Sequence, residues 1–132
     1  MDGDAVHAFI SGESYWGLGR SRELVDASIQ GSTRVVGLYL RNEQVGFARA
    51  VSDGVIVAYL ADVYVLPQYR GRGLGLELVR ELVDGDSRRN VRWMLHTADA
   101  QGLYAKLGFG GPSAPYPLME RARVERLDPP SQ

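Results

Sequence analysis

The most constraining feature of the sequence is a glycine- and arginine-rich segment between a predicted strand and a predicted helix. The strand ends at Pro67, because proline cannot continue a hydrogen-bonded ladder, and the apolar helix runs through about Val83. The segment consists of Arg70, Gly71, Arg72, Gly73, Leu74 and Gly75. Its glycines allow backbone N–H groups to point into one concavity, and the first turn of the helix adds unpaired N–H groups and a positive dipole end. We therefore predict an anion site for a phosphate or pyrophosphate.

The glycine spacing argues against two common phosphate-binding loops. No lysine follows the glycines as it does in P-loop nucleotide hydrolases, and the sixth position counted from Gly71 is Leu76, where the Rossmann fingerprint needs glycine. The Rossmann loop also follows the first strand of a parallel sheet, whereas this segment follows a predicted antiparallel meander. The alternative interpretation is a flexible turn with two solvated arginines, Arg70 and Arg72.

The elements around this segment predict a mixed α/β sheet. Strands at Val35–Leu40, Val45–Val51 and Val55–Leu66 alternate with polar turns and form an antiparallel meander. After the helix, Val91–Thr97 is a further strand and completes a strand–helix–strand crossover. Such a crossover places its two strands parallel in one sheet.

The remaining elements are less strongly marked. Ser21–Gln30 is predicted as a helix with Ser21 or Gly19 near its start, and Asp99–Leu107 as a second helix closed by Gly108. His7–Ile10 could be a short strand or sheet edge, and Leu118–Val124 an edge strand. No repeat or linker divides the chain, so residues 1–132 are predicted to form a single domain.

Composition excludes several function classes. The chain has 45% hydrophobic residues, enough for one core, and no cysteine, which excludes disulfides, thiolate zinc sites and a cysteine nucleophile. Only His7 and His96 could supply imidazole ligands, so we expect no metal. The net charge of −1 argues against a nucleic-acid partner. The fourteen arginines beside the single lysine, Lys106, suit either phosphate recognition or a codon bias.

The sequence also bears on location. No apolar run approaches the length of a membrane span. Residues 1–4 are acidic where a signal peptide would be basic. We therefore expect a soluble, cytoplasmic protein with no membrane partner.

Two motifs in order resemble the GNAT superfamily of acyl-CoA-dependent N-acetyltransferases. The first is Arg70-x-x-Gly73-x-Gly75 after the strand residues 62–67, which is similar to the acyl-CoA-binding motif of that family. The second runs from Ala100 through Leu103-Tyr104 to Gly108-Phe109 and resembles the second signature of the family. The matching part covers roughly residues 55–110. The resemblance implies a meander followed by a crossover whose central parallel strands splay apart.

The resemblance also implies how acetyl-CoA binds. Its pantetheine arm would lie between the splayed strands, where backbone groups of Val63 and Val65 would bind it, and the amides of residues 70–75 would bind the pyrophosphate. The hydroxyl of Thr97 could contact the arm or cap the next helix. The cofactor-binding residues implied in this way are Val63, Tyr64, Val65, Arg70, Gly71, Arg72, Gly73, Leu74, Gly75, Thr97 and Tyr104.

The resemblance makes Tyr104 a catalytic residue that protonates the departing CoA thiolate. A phenol with a pKa of about 10 is protonated at neutral pH and can donate to a thiolate whose conjugate acid has a pKa near 8.5. The alternative is an aromatic residue that packs on the sheet with its hydroxyl at the rim.

Asp62 is the first candidate for the base that removes a proton from an ammonium substrate. A carboxylate in an otherwise apolar strand costs free energy unless it is paired or functional. It could act as the base, contact the substrate ammonium, cap a backbone bulge or pair with an arginine, and a water relay could take the proton instead. The family's catalytic glutamate has no match, because Tyr59 occupies the approximate place.

The acceptor is predicted to be a primary amine, with a small molecule favoured, that receives the acetyl group directly in a ternary complex. Tyr15 and Trp16 could form a wall of its pocket or anchor the core. His96 is read as an ordinary strand residue. A non-catalytic acyl-CoA-binding sensor on the same fold is the alternative function, and the final predicted strand could pair two copies into a homodimer.

Overall fold

A computed structural model describes residues 1–85, 90–112 and 116–123 of the chain. Within them the helices and strands follow one another in the order predicted from Ser21 onward. In chain order they are α1 (Gly3–Gly12), α2 (Arg22–Gly31), β1 (Arg34–Leu40), β2 (Glu43–Ser52), β3 (Val57–Val65), α3 (Leu74–Asp84), β4 (Arg92–Met94) and α4 (Gln101–Ala105). A single 3-10 turn, Pro67–Tyr69, joins β3 to the glycine-rich segment.

The four strands form one mixed sheet in the order β1-β2-β3-β4. The pairs β1/β2 and β2/β3 are antiparallel, whereas β3/β4 is parallel. The parallel ladder runs only from Val57 opposite Arg92 to Tyr59 opposite Met94. Beyond this point β3 continues to Val65 while the chain after Met94 leaves the sheet. The predicted mixed sheet is confirmed, and its two parallel strands, β3 and β4, diverge.

Helices cover both faces of the sheet. On one face α1 and α2 bury a cluster that includes Phe9, Val25 and Phe47. On the other face α3 and α4 pack against Ala48 and Leu60. Neighbouring residues of β2, such as Phe47 and Ala48, point to opposite faces and are both fully buried, because side chains alternate along a strand. The sheet is therefore the middle of three layers.

Two predictions near the ends of the chain are wrong. His7–Ile10 lies inside α1, because the Asp2 side chain accepts a hydrogen bond from the Ala5 amide and caps a helix. The buried residues Val6, Phe9 and Ile10 have the spacing of one helix face. Of the predicted strand Leu118–Val124, residues 118–123 form no strand and are exposed, and Val124 lies outside the described residues. The homodimer stays a prediction.

Other boundaries shift for a clear reason. The predicted helix at Ser21–Gln30 is confirmed as α2, and the Ser21 side chain accepts a hydrogen bond from the Leu24 amide. Of the predicted strand Val91–Thr97, only Arg92–Met94 forms a strand, β4, because the chain after Met94 no longer pairs with β3. Among the described residues, no helix is both long enough and apolar enough to cross a membrane.

Candidate active site

A cleft of about 610 Å³ opens where β3 and the chain after β4 diverge. Residues 60–63 of β3 form one wall, and residues 95–100 together with Tyr104 form the other. The loop between α1 and α2 closes a third side with Tyr15, Trp16 and Arg20. The divergence of the two strands therefore creates a cleft that is the candidate functional site.

The N-terminus of α3 supplies a row of free backbone amides. Gly73 is the N-cap residue and has a φ of 77°, a left-handed conformation that favours glycine. The first helical hydrogen bond joins the Glu77 amide to the Gly73 carbonyl at 3.2 Å. The amides of residues 74–76 precede that bond and have no intrahelical acceptor. This is the arrangement that the glycine-rich segment predicts for an anion site.

The lack of a side chain at Gly75 lets the N-terminus of α3 pack closely against α4 and β3. A Cβ added at Gly75 would lie 3.1 Å from Leu103 Cδ1 in α4 and 3.8 Å from Val65 Cγ2 in β3. Glycine thus permits a close approach of α3 to the helix that carries Tyr104.

The two arginines of the segment contact the protein. Arg70 Nε donates to the Val65 carbonyl at 2.8 Å, which ties the segment to the end of β3. The Arg72 guanidinium carbon lies 5.5 Å from the centre of the Tyr69 ring, within the range of a cation–π contact. The Val65 carbonyl, predicted to be available to the pantetheine arm, therefore already has a donor.

The three consecutive β3 residues in the predicted cofactor set lie in different places. Val63 lines the cleft, whereas Val65 packs in the α3 cluster. Tyr64 points to the opposite face, where its ring stacks on Phe9 with 4.1 Å between ring centroids. Burial raises the pKa of Tyr64 to about 12. Only backbone groups of Tyr64 and Val65 could therefore contact a ligand in the cleft.

Tyr104 lies in α4 and lines the cleft. Its side chain is largely buried and packs edge-on against Phe109, with 5.8 Å between ring centroids. Burial, together with the nearby Tyr15 and Asp99, raises the pKa of Tyr104 to about 12. The phenol therefore stays protonated at neutral pH and can serve as a proton donor.

Asp62 lies in a β-bulge of β3. Phe47 pairs with Tyr64 and Arg49 pairs with Ala61, so one β2 residue opposes both Asp62 and its neighbour. Its φ of 55° is left-handed, which aspartate tolerates better than most residues. Of the alternatives predicted for this carboxylate, the arginine partner is present, whereas the donors to its oxygens are side chains and not bulge amides.

The Asp62 carboxylate accepts three hydrogen bonds. Arg49 Nε and Arg20 Nη1 donate to Oδ2 at 2.7 and 3.0 Å. Trp16 Nε1 donates to Oδ1 at 3.0 Å. The carboxylate side chain is 5% exposed and both oxygens are engaged. Its role as a base stays a prediction.

Thr97 caps the turn that leads into α4. Its Oγ1 accepts hydrogen bonds from the Ala100 amide at 3.0 Å and the Asp99 amide at 3.4 Å. Thr97 also lines the cleft, so the predicted contact with the cofactor arm stays open beside the capping role.

The structure adds site residues that the sequence analysis did not select. Arg20 and Arg49 reach the cleft from separate elements, and no local motif marks them. The Tyr59 hydroxyl lies 2.8 Å from His96 Nδ1, and burial raises the pKa of Tyr59. The register of β3 against β4 could have indicated this pair, because Tyr59 lies opposite Met94, two residues before His96.

The described residues contain no cluster of His, Asp or Glu that could hold a metal ion.

The family model of the acetyltransferase (GNAT) domain matches residues 31–110, more than half of the chain. The protein therefore belongs to the GNAT acetyltransferase family, which confirms the resemblance inferred from the two motifs.

Related proteins agree with this assignment. A structure described as a GNAT-family acetyltransferase from Xanthomonas campestris superposes with a TM-score of 0.86 at 37% identity, covering 93% of this chain and 87% of that one. The GCN5-related N-acetyltransferase 2 of Arabidopsis thaliana is 42% identical over 67 residues, 49% of this chain. The histone acetyltransferase TAP1 of Glycine max is 40% identical over 73 residues, 52% of this chain. The matched segments span only 26% and 32% of these two relatives.

The fold also occurs in a structure solved with acetyl-CoA. That acetyltransferase, from Clostridium acetobutylicum, superposes with a TM-score of 0.62 at 16% identity and covers 90% of this chain and 92% of its own. At this identity the likeness concerns the fold.

Proposed function

We propose that the protein is an N-acetyltransferase that moves the acetyl group of acetyl-CoA directly to a primary amine, with a small molecule as the favoured acceptor. One observation carries the proposal. The cleft between the diverging strands has a protonated tyrosine, Tyr104, in its wall, and the α3 N-terminus with its amides packs through Gly75 against Leu103, the residue before Tyr104. Membership of the GNAT family supports the same activity.

The residues present fit acetyl-CoA. The amides of residues 74–76 and the positive end of α3 suit its pyrophosphate. The edge of β3 that faces the cleft has no strand beside it after Tyr59 within the described chain, so its backbone groups can bind an extended arm. Val63 lies on that edge, and Thr97 lies across the cleft from it.

When bound, acetyl-CoA supplies a thioester whose carbonyl carbon an amine can attack. The amine nitrogen forms the new C–N bond while the C–S bond breaks, and Tyr104 gives its proton to the sulfur. The proton that the nitrogen loses returns the Tyr104 phenolate to the phenol, so charge and protons balance. Backbone N–H groups of β3 that face the cleft can stabilise the developing negative charge on the carbonyl oxygen.

An ammonium acceptor must first lose another proton. Asp62 and a water relay are the two routes considered from the sequence. The three donors on Asp62 favour the relay, because the carboxylate would have to release one of them before it could accept a proton. We assign Asp62 the task of holding its two arginines at the cleft.

Direct transfer is the simplest chemistry for this chain. The sequence contains no cysteine that could carry the acetyl group, and it has no nucleophilic serine elbow. The amine and acetyl-CoA must therefore occupy the cleft together.

Calorimetry and a thiol-release assay test the proposal in sequence. Titration with acetyl-CoA should give saturable heat on folded protein, and a panel of primary amines should then accelerate release of the CoA thiol. Binding without release for any amine would indicate the alternative, a sensor domain. Absence of binding on folded protein would overturn both functions.

A further inference from the structure

Two arginines and one aspartate form a charged cluster in the wall of the cleft. Arg20 and Arg49 both contact Asp62 Oδ2, and their side chains are 21% and 17% exposed. Two positive charges against one negative charge leave this cluster with a net charge of +1. A partly desolvated excess positive charge attracts an anion.

The arginines keep unused donors on the cleft side. Arg20 uses Nη1 for Asp62, and Arg49 uses Nε for Asp62 and Nη1 for a long contact of 3.5 Å with Ser32 Oγ. In the part of the chain that the structure describes, no partner is recorded for Nη2 of either residue. Two planar guanidinium groups that face one cleft suit a carboxylate, which accepts parallel hydrogen bonds.

The wall of the cleft also carries a negative charge, on Asp99. Asp99 is close enough to Tyr104 to raise its pKa, and both residues line the cleft. The cleft therefore has a carboxylate beside the proposed proton donor and an excess of positive charge beside Asp62. An acceptor with both an ammonium and a carboxylate group matches this order.

Exposed aromatic rings lie beside the charged cluster. Tyr15 and Trp16 pack edge to face with 5.1 Å between ring centroids, and both are exposed although they line the cleft. The Tyr15 hydroxyl accepts a hydrogen bond from the Ala98 amide at 3.2 Å. This bond ties the Tyr15 ring to the wall that residues 95–100 form. Such rings provide contact area for a large apolar or aromatic group.

We propose that the acceptor is an amino acid with an aromatic or large apolar side chain, and that Arg20 and Arg49 bind its carboxylate. Asp62 and Trp16 are positioning residues, because they hold the arginines in place before the ligand arrives. The inference rests on the proposed function, since it names the acceptor of that same reaction.

Matched acceptor pairs test the proposal on the unaltered protein. Phenylalanine is compared with phenethylamine, tyrosine with tyramine, and leucine with isoamylamine in the thiol-release assay. Each pair differs only in the carboxylate. We expect kcat/KM to be roughly 10–100-fold higher for the amino acid, the range for one or two charge-assisted hydrogen bonds.

A binding measurement gives a readout that does not depend on turnover. In a Trp93→Phe background Trp16 is the single tryptophan, and its fluorescence reports ligands beside Asp62. N-acetylphenylalanine should bind roughly 10–100-fold more tightly than N-acetylphenethylamine. Arg49→Lys and, separately, Arg20→Lys should each remove most of this preference, because lysine lacks the planar fork. Arg22→Lys, in an exposed ion pair on α2, should keep it.

The outcomes separate the two proposals. Preference for the decarboxylated amines, or equal use of both, would overturn the inference and leave the proposed function standing. Acetyl-CoA binding without transfer to any amine would remove the proposed function, and the fluorescence comparison would then decide the carboxylate site by itself. Faster acetylation of O-phosphoethanolamine than of β-alanine would overturn the assignment of a carboxylate in favour of a phosphate.

Discussion

The α3 end and the Asp62 end of the candidate site are built in different ways. At the α3 end, three consecutive residues, 74–76, present backbone amides, and the chemistry depends on glycine conformations within one segment. At the Asp62 end, the carboxylate collects side chains that lie 13, 42 and 46 residues away along the chain. The first site is a property of a local segment, whereas the second exists only when the sheet and the α1–α2 loop come together.

The difference determines how each end responds to substitution. Every residue except proline has a backbone N–H, so the α3 end is sensitive to φ rather than to the identity of most side chains. The Asp62 end depends on particular charges held in a partly buried place, so removal of one charge leaves the others uncompensated. Four measurements test this difference.

The largest effect is expected at Tyr104, in the wall of the cleft. Tyr104→Phe should lower the turnover number by about 10²–10⁴-fold, the usual contribution of a general acid, while acetyl-CoA affinity stays within a few-fold. Steady-state kinetics with calorimetry on the same preparation measures both. Tyr39→Phe, which removes an exposed hydroxyl bonded to Gln44, is the control. Unchanged turnover in Tyr104→Phe would reject the role or show that thiolate release is not limiting.

The next effect concerns the charged cluster. Asp62→Asn should lower the free energy of unfolding by about 3–5 kcal/mol, because two partly buried arginines lose their counter-charge. Asparagine also tolerates a left-handed φ, so the substitution isolates the charge. Urea unfolding measures the change, and Asp26→Asn, in an exposed pair with Arg22, should change little. Equal losses of unfolding free energy in the two variants would mean that Asp62 stabilises the fold no more than a carboxylate in a surface ion pair.

A smaller effect is expected at the amide end. Gly73→Ala places a Cβ at a left-handed φ with no atom within 4 Å, so only the backbone strain matters. That strain is about 1–2 kcal/mol, and relaxation of the segment should weaken acetyl-CoA binding by about 5–30-fold. Gly12→Ala, also with nothing within 4 Å and without a left-handed φ, is the control. Intact affinity with reduced stability in Gly73→Ala would show that these amides do not hold the ligand.

The smallest effect is alkaline destabilisation. Burial raises the pKa of Tyr104 and of Tyr64 to about 12, whereas an unfolded tyrosine has a pKa of about 10. The stability due to these neutral phenols is fully present below pH about 10 and is lost as the pH rises toward about 12, because only the unfolded chain ionises in that range. Thermal unfolding across this range, with tyrosinate absorbance, measures the loss. Tyr104→Phe should reduce the slope, and an unchanged slope would place its pKa near the ordinary value.

Much of the fold could be predicted from the sequence, because its signals are local. The meander follows from alternating strands and tight turns, and Pro67 and the glycines mark the way into α3. The strand predicted at Val91–Thr97 is too long because its apolar pattern continues after its neighbour has diverged. At His7–Ile10, the capping side chain of Asp2 is a helix signal that the prediction did not weigh.

The residues of the candidate site also differ in how far the sequence could predict them. The amide end and Tyr104 could be predicted, since each lies in a short motif. For Asp62 the sequence could indicate only that a lone carboxylate in an apolar strand needs a partner. Which arginines supply it depends on how the α1–α2 loop folds over the sheet, and no spacing along the chain encodes the distance between Arg20 and Asp62.

The short ladder between β3 and β4 has a consequence for the stability of the whole domain. Because β4 pairs with β3 only from Val57 to Tyr59, the second half of β3 has no strand along this edge among the described residues. An extended ligand that forms hydrogen bonds along this edge takes the place of a further strand and extends the sheet. Acetyl-CoA should therefore raise the melting temperature and slow amide hydrogen exchange at residues 60–63 together, in proportion to its occupancy.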